Sequence, residues 1–175
     1  EMINEDELPN NRLLDTYSLE FLNLPSEYSE KDLRKSIIAN MKTFVLEIGK
    51  DFTFIGEEYR IQVGNEDFYI DLLFYNLNLR SYVVIELKTG DFKPEYAGQL
   101  NFYLSAVDGI LKKDTDNPSI GLLLCKSKND LVAEYSLRDM SKPIGISEYK
   151  ITSSLPEEYE KQLPSVEDIQ KRIKN

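Results

Sequence analysis

Apolar residues in the first half of the chain recur with a helical spacing. Those on the expected buried side are three or four positions apart: Leu33, Ile37, Met41, Phe44 and Ile48. Ser29 is a suitable N-cap with Asp32 three residues later, as in a capping box, and Gly49 is a common helix-ending residue. The pattern predicts one amphipathic helix between these signals, covering one side of a core.

The next segment has the pattern of β-strands separated by short turns. Apolar and aromatic runs over 52–55 and 59–63 favour a first strand, and Gly64-Asn65-Glu66-Asp67 favours a turn. Two further runs, 69–74 and 83–88, are separated by a segment rich in asparagine that suits a hairpin. The sequence therefore predicts an antiparallel meander of three strands.

The second half of the chain predicts alternating helices and strands. Pro94 suits the first turn of a helix that runs to about Val107, and Asn129 begins another that runs to about Leu137. The apolar run 120–125 is typical of a strand buried on both faces, and 144–149 predicts a last strand that could occupy a sheet edge. The expected fold is α/β, a mixed sheet flanked by helices.

This order of elements suggests one domain with two extensions. We expect a linker, or the remnant of a preceding region, over 1–28, the folded domain over 29–150, and a C-terminal helical extension over 151–175. With 175 residues and 41% hydrophobic content, the chain can support one substantial core.

Three charged residues interrupt the two central apolar runs: Asp71, Glu86 and Lys88. Side chains of a strand alternate between its faces, so Glu86 and Lys88 share one face and Leu87 points to the other. A hairpin loop over 77–80 would place Asp71 directly opposite Glu86, with Cβ atoms ~5 Å apart. A register shift of one residue would turn Asp71 to the wrong face, so the hypothesis requires this pairing.

Burying these charges without partners would be costly, so they should pair with each other, with a metal ion, or with both. Two carboxylates can bind Mg²⁺, and Mn²⁺ in its place, while leaving coordination positions for water and a phosphate oxygen. Lys88 could then orient the nucleophile or stabilise charge on phosphorus. The alternative is a structural ion pair near a strand end.

Asp71 followed by Glu86-Leu87-Lys88 resembles the signature of PD-(D/E)xK nucleases, the restriction-endonuclease-like superfamily. A longer resemblance, to the C-terminal nuclease domain of YhcG-like proteins, covers four segments: 68–75, 82–88, 92–104 and 120–126. It implies a restriction-endonuclease-like core and Mg²⁺-dependent endonuclease action on DNA, in repair, restriction or defence. It also implies that the Leu87 carbonyl is an additional metal ligand.

Three more residues are candidates for the site. Gln99 and Tyr103 are four apart on the predicted helix and resemble the Q-x-x-x-Y element of some of these nucleases. Gln99 could bind a phosphate or a metal-bound water, and Tyr103 could support Lys88 or the backbone; helix packing is the alternative for both. Glu47 is a weaker candidate, because a solvated helix flank explains it equally well.

The short motif is not specific by itself. Glu148-Tyr149-Lys150 is a second Glu-x-Lys triplet, but no strand bearing an aspartate precedes it in a hairpin. We therefore interpret Glu148 and Lys150 as ordinary charges at the end of a strand.

Composition excludes several kinds of chemistry. The chain has no histidine, which excludes the usual zinc sites and the catalytic mechanisms that use a histidine base. Its single cysteine, Cys125, lies in an apolar run and cannot form an internal disulfide. No apolar stretch reaches the ~20 residues of a membrane span, so we expect a soluble cytoplasmic protein without membrane contact.

The net charge of −10 is unusual for a protein that binds DNA. No basic patch stands out in the sequence, and the candidates for phosphate contact are Lys88, Lys93, Lys126, Lys128, Arg138 and Lys142. YhcG-like proteins have a helical region before the nuclease domain, so a missing N-terminal region is an expected partner in DNA binding.

The oligomeric state, a homo-oligomer included, stays open, and so do two alternatives to catalysis. One is a non-cleaving module that binds nucleic acid or protein, and the other is a structural module in which the charges form ion pairs.

Overall fold

The computed structural model describes residues 13–151, which form a six-stranded sheet with helices on both faces. The elements in chain order are β1 (Thr16–Ser18), α1 (Glu30–Ala39), α2 (Met41–Ile48), β2 (Phe52–Val63), β3 (Glu66–Asn76), β4 (Ser81–Leu87), α3 (Pro94–Ile110), β5 (Ile120–Cys125), α4 (Asp130–Leu137) and β6 (Ile144–Lys150). The predicted α/β class and mixed sheet are confirmed.

The strands lie in the order β1-β6-β5-β4-β3-β2. The predicted meander is present, since β3 pairs antiparallel with both β2 and β4. From β4 onward the sheet is parallel, and α3 and α4 form the crossovers to β5 and β6. The parallel strands β4 and β5 are buried on both faces, which explains their near-continuous apolar sequences.

Two apolar layers cover the faces of the sheet. On one face, α1 and α2 pack against alternate strand residues such as Leu72, Ile85 and Leu87. On the other, α3 and α4 pack against Leu73, Val84 and their neighbours. Successive residues enter opposite layers over 72–74 of β3 and 83–85 of β4, whereas Ile70, two residues before Leu72, lies in the α3/α4 layer.

An edge strand forms where the sequence predicted a linker or remnant. β1 pairs in parallel with β6, and Tyr17 and Leu19 are fully buried in the α1/α2 layer. At three residues β1 is too short for a recognisable period, and its partner is more than a hundred residues away in the chain. β6 is therefore not the edge of the sheet. Residues 1–12 and 152–175, including most of the predicted C-terminal extension, lie outside the described residues.

The prediction of one helix from Ser29 to Gly49 is wrong in one respect, because the helix is broken at Asn40. Ser29 and Asp32 form the predicted capping box at the start of α1, and Gly49 ends α2. Between the two helices the side-chain amide of Asn40 donates to the Ser36 carbonyl at 2.8 Å. The Asn40 N–H donates to the same carbonyl at 3.1 Å, so the side chain and the backbone share this acceptor.

A bulge divides β2, the other edge strand. The predicted runs 52–55 and 59–63 join in one strand whose pairing with β3 shifts between Phe54 and Gly56. Phe52 and Phe54 pack toward the α1/α2 layer, whereas Ile61 packs under α3. The buried Arg34 of α1 forms ion pairs with Glu57 and Glu58, which directly follow the bulge.

Gly121 allows α3 to pack closely on β5. A Cβ atom at this position would lie 2.9 Å from the Leu100 side chain, which is closer than a normal contact. Nearby, Cys125 is a small buried apolar residue as predicted, and burial raises the pKa of its thiol to about 12. No helix within residues 13–151 is both long and apolar enough to cross a bilayer.

Candidate active site

The register of the central hairpin brings the two predicted carboxylates together. The hairpin turns over 77–80 and its β3–β4 ladder ends at Leu72 and Ile85, so Asp71 and Glu86 are the next residue on each strand. Asp71 Oδ2 accepts a hydrogen bond from the Leu87 N–H at 2.9 Å, and the Asp71 N–H donates to Glu86 Oε1 at 3.4 Å. The Asp71 side chain thus takes the place of a backbone acceptor where the β3–β4 ladder ends.

Glu86 is the most enclosed of the charged groups at this site. Only 5% of the residue is exposed, whereas Asp71 and Lys88 are half-buried. Burial raises the pKa of the Glu86 carboxyl well above its usual range, and the adjacent Asp71 carboxyl raises it further. Lys88 and the Asp71 N–H only partly offset these effects. Two carboxylates held together in this way favour either a shared proton or a bound cation.

Lys88 projects toward the α3 side of the sheet, the side shared by Glu86. Its Nζ lies 4.4 Å from the centre of the Tyr96 ring, within the range of a cation–π interaction. Tyr96 is on α3, three residues before Gln99. Tyr96 was not among the residues predicted from the sequence, although a spacing of three residues on a helix places it beside Gln99.

Gln99 and Tyr103 also lie on the side of α3 near the carboxylates. The exposed Gln99 amide donates to the Tyr103 hydroxyl at 3.2 Å. Burial raises the pKa of the Tyr103 hydroxyl, as do the charges of Glu86 and Asp71, whereas the Gln99 hydrogen bond lowers it. Tyr103 therefore supports Gln99 and faces the carboxylates, and the aromatic contact of Lys88 is with Tyr96.

Glu47 does not join this cluster. Its carboxylate accepts a hydrogen bond from the Ser18 N–H at 2.8 Å, at the β1 edge. It belongs to α2, whose buried residues pack on the face opposite to α3. The helix pattern showed correctly that Glu47 lies beside the apolar stripe, but it could not show which face of the sheet the helix covers.

A family model matches most of the chain. The YhcG PDDEXK nuclease domain matches residues 10–164. The chain belongs to this nuclease-domain family. The resemblance inferred from Asp71 and the Glu86–Lys88 triplet is therefore confirmed.

A curated relative supports the same assignment. The protein named "Putative nuclease YhcG" from Escherichia coli (strain K12) is 38% identical over 151 residues. The match covers 86% of this chain but 40% of the relative. This YhcG-family domain thus spans less than half the length of that relative.

Solved structures with a similar arrangement include a repair endonuclease from Pyrococcus abyssi, at 20% identity and a TM-score of 0.47, covering 72% of this chain and 50% of that chain. A structure described as an EndoMS–dsDNA2 complex has 18% identity and a TM-score of 0.49, covering 72% of this chain and 49% of that chain.

The donor set of the YhcG-family site fits a small, hard divalent cation. Within residues 13–151 no group of three or more acidic, histidine or cysteine side chains is placed to bind a metal. Mg²⁺ needs only one or two carboxylates when water and substrate complete its coordination, and Asp71 and Glu86 provide two. The Leu87 N–H points toward Asp71, and in a strand the carbonyl of the same residue points to the same side. These groups would hold the ion, with one Asp71 oxygen also bonded to the backbone.

Proposed function

We propose that this YhcG-family domain is a Mg²⁺-dependent nuclease that hydrolyses phosphodiester bonds in DNA, with Mn²⁺ as a substitute ion. The observation that carries the proposal is the placement of two carboxylates opposite each other in a hairpin, with a lysine two residues beyond the second. Membership of the nuclease-domain family supports the same conclusion. The cellular role proposed is DNA repair, restriction or defence in the cytoplasm.

Each residue has a separate role in the proposed reaction. Asp71 and Glu86 bind the cation, together with the Leu87 carbonyl. When bound, the cation supplies Lewis-acid activation of the attacking water and neutralises charge on the phosphate. The Lys88 ammonium orients the nucleophile or stabilises charge that develops on the phosphoryl oxygens. The exposed Gln99 amide can donate to a substrate phosphate, with Tyr103 supporting it.

DNA contacts are proposed at two lysines beside the site. Lys93 precedes α3, Lys126 follows β5, and the Lys126 N–H donates to the Gly90 carbonyl at 3.1 Å. Both are exposed, and neither has an ion-pair partner among residues 13–151. By contrast, Lys128 is bonded to Asp15, and other sequence candidates are also paired: Arg138 with Glu134 and Lys142 with Asp108.

The overall acidity is compatible with DNA binding if the positive charge is local. A bound divalent ion would offset the charges of Asp71 and Glu86, and Lys93 and Lys126 lie next to that position. A region of the longer protein that precedes this domain is proposed to share the DNA contacts, since the domain covers 40% of its curated relative.

The activity is tested by incubating labelled single-stranded, double-stranded and branched DNA, and RNA, with the domain and a longer chain. Each reaction contains Mg²⁺, Mn²⁺ or EDTA. Cleavage that requires the ion and is lost in Asp71→Ala and Lys88→Ala supports the proposal. Metal-independent binding without cleavage under every condition would instead identify a nuclease-fold binding module.

The proposed DNA contacts are tested by measuring affinity against salt concentration with the uncleaved substrate in Ca²⁺. Each phosphate contact contributes about one unit to the slope of log affinity against log salt. Lys93→Ala and Lys126→Ala should each lower the slope by about that amount, whereas Lys128→Ala should leave it unchanged. An unchanged slope in both of the first two variants would contradict their role.

A further inference from the structure

The catalytic lysine candidate lies just beyond the last residue of β4, where the sheet gives it little support. Its N–H donates to the Leu124 carbonyl of β5 at 2.8 Å, and the chain then leaves the sheet. A lysine side chain loses much rotamer entropy when it is fixed in one position. An ammonium that must meet a phosphoryl oxygen therefore benefits from contacts that restrict it before substrate arrives.

Two tyrosines contact Lys88 from opposite faces of the sheet. On the α3 side, the Tyr96 ring lies under the ammonium, with its centre 4.4 Å from Nζ. On the α1/α2 side, the Tyr149 hydroxyl donates to the Lys88 carbonyl at 3.1 Å. Tyr149 belongs to β6, so its side chain crosses beneath the end of β5 to reach a strand that is not its neighbour.

The Tyr149 contact is part of a longer hydrogen-bonded chain. Because Tyr149 donates to Lys88, its oxygen accepts from the Tyr28 hydroxyl, with the two oxygens 3.2 Å apart. The following residue is also tied to the first helix, since the Thr89 hydroxyl donates to Glu30 at 3.0 Å. Tyr149 is 3% exposed, so water competes little for this bond.

We propose that Tyr96 and Tyr149 are positioning residues that hold Lys88 in its reactive place, Tyr96 through the ammonium and Tyr149 through the backbone carbonyl. The inference rests on the proposed nuclease function and deepens it. Neither tyrosine has to touch the substrate. Their contribution is to restrict the lysine, so their loss should lower kcat and leave KM for DNA nearly unchanged.

Substitutions at Tyr96 and Tyr149 distinguish the contribution of the aromatic ring from that of the hydroxyl group. Tyr96→Phe keeps an aromatic face under the ammonium and should cleave DNA at close to the wild-type rate, whereas Tyr96→Leu should lower kcat by about ten-fold. Tyr149→Phe keeps the packing and removes the donor, and a similar loss is expected. Tyr75→Phe is the matched control, because its hydroxyl bonds to Asp116 near the far end of the hairpin.

A spectroscopic measurement tests the positioning without relying on activity. Lysines are methylated with ¹³C-labelled methyl groups, and the Lys88 signal is identified by its absence in Lys88→Arg. The Tyr96 ring current should shift this signal away from those of exposed lysines. Tyr96→Phe should keep the shift, Tyr96→Leu should abolish it, Tyr149→Phe should reduce it, and Tyr75→Phe should leave it unchanged.

The two measurements distinguish failure of the inference from failure of the proposed function. A Lys88 signal that is the same in wild type and Tyr96→Leu would overturn the role of Tyr96. Unchanged kcat and an unchanged signal in Tyr149→Phe would overturn that of Tyr149. If wild type cleaves nothing, the nuclease proposal fails, and the signal alone decides whether the tyrosines hold Lys88.

Discussion

Two Glu-x-Lys triplets lie at the ends of parallel strands in the same sheet, Glu86–Lys88 at the end of β4 and Glu148–Lys150 at the end of β6. Their central residues, Leu87 and Tyr149, are both buried in the α1/α2 layer. The flanking residues differ completely. Glu86 is buried beside Asp71, whereas Glu148 is half-buried and accepts a hydrogen bond from the Lys128 N–H at 2.9 Å.

The neighbouring strands account for this difference. Next to β4 lies β3, whose register brings an aspartate opposite Glu86. The neighbours of β6 are β5 and β1, and the residues in register with Glu148 are Cys125 and Thr16. The same three-residue pattern therefore gives a candidate metal site at the end of β4. At the end of β6 it gives a hydrogen bond between Glu148 and the Lys128 backbone. An acid on the adjacent strand decides between them.

The largest expected effect is on cleavage. Glu86→Gln removes the charge of the proposed metal ligand while keeping the shape of the side chain, and should lower kcat/KM at least ~100-fold. The equivalent Glu148→Gln should stay within about two-fold of wild type, because Gln can still accept from the Lys128 N–H. Initial rates on a labelled DNA substrate in Mg²⁺ measure both. Equal losses in the two variants would remove the distinction between the triplets.

A smaller effect is expected on stability in the presence of metal. An ion that binds only the folded state stabilises it by about 2.7 kcal/mol when its concentration is 100 times Kd. Mn²⁺ should therefore raise the Tm of wild type and Glu148→Gln, and leave Glu86→Gln unchanged. Differential scanning calorimetry in EDTA and in Mn²⁺ provides the measurement. A full rise in Glu86→Gln would show that the ion binds elsewhere.

The smallest effect concerns pH in the absence of metal. The folded-state pKa of Glu86 is raised, so the folded protein binds more protons than the unfolded one between the two pKa values. The contribution of the Glu86 carboxyl to the free energy of unfolding is therefore lost as pH rises from its unfolded-state pKa to its folded-state pKa. In EDTA, Glu86→Gln should therefore unfold at higher urea concentration than wild type at pH 8, with a smaller difference at pH 5.

The matched variant is Glu148→Gln, which should show no such gain at pH 8. A wild type that becomes more stable relative to Glu86→Gln as pH rises would contradict the direction of the Glu86 shift.

Residues that act within one hairpin could be predicted from the sequence. Period-two alternation and a four-residue loop are local features, and together they determined that Asp71 meets Glu86. The helix carrying Gln99 was equally predictable from Pro94 and the apolar spacing, although it extends to Ile110 and not to about Val107.

Features that depend on packing between distant segments could not be predicted in this way. The strand Thr16–Ser18 exists because β6 offers a partner, and nothing in three residues indicates that pairing. The break at Asn40 interrupts an apolar spacing that continues across it, so the spacing gave no sign of the break. Tyr149 reaches Lys88 from two strands away, and the apolar spacing that placed Glu47 beside the buried stripe does not show which face of the sheet its helix covers.

The missing side chain at Gly121 has a consequence for the position of Gln99, a residue of the candidate site. Leu100, which rests against that bare backbone, directly follows Gln99 in α3. The contact of Leu100 with Gly121 sets the distance of this part of α3 from the sheet. It therefore also sets the position of the Gln99 amide relative to Asp71 and Glu86. A methyl group at position 121 would therefore press on Leu100 and displace α3 from the sheet, which in the proposed nuclease would also displace Gln99.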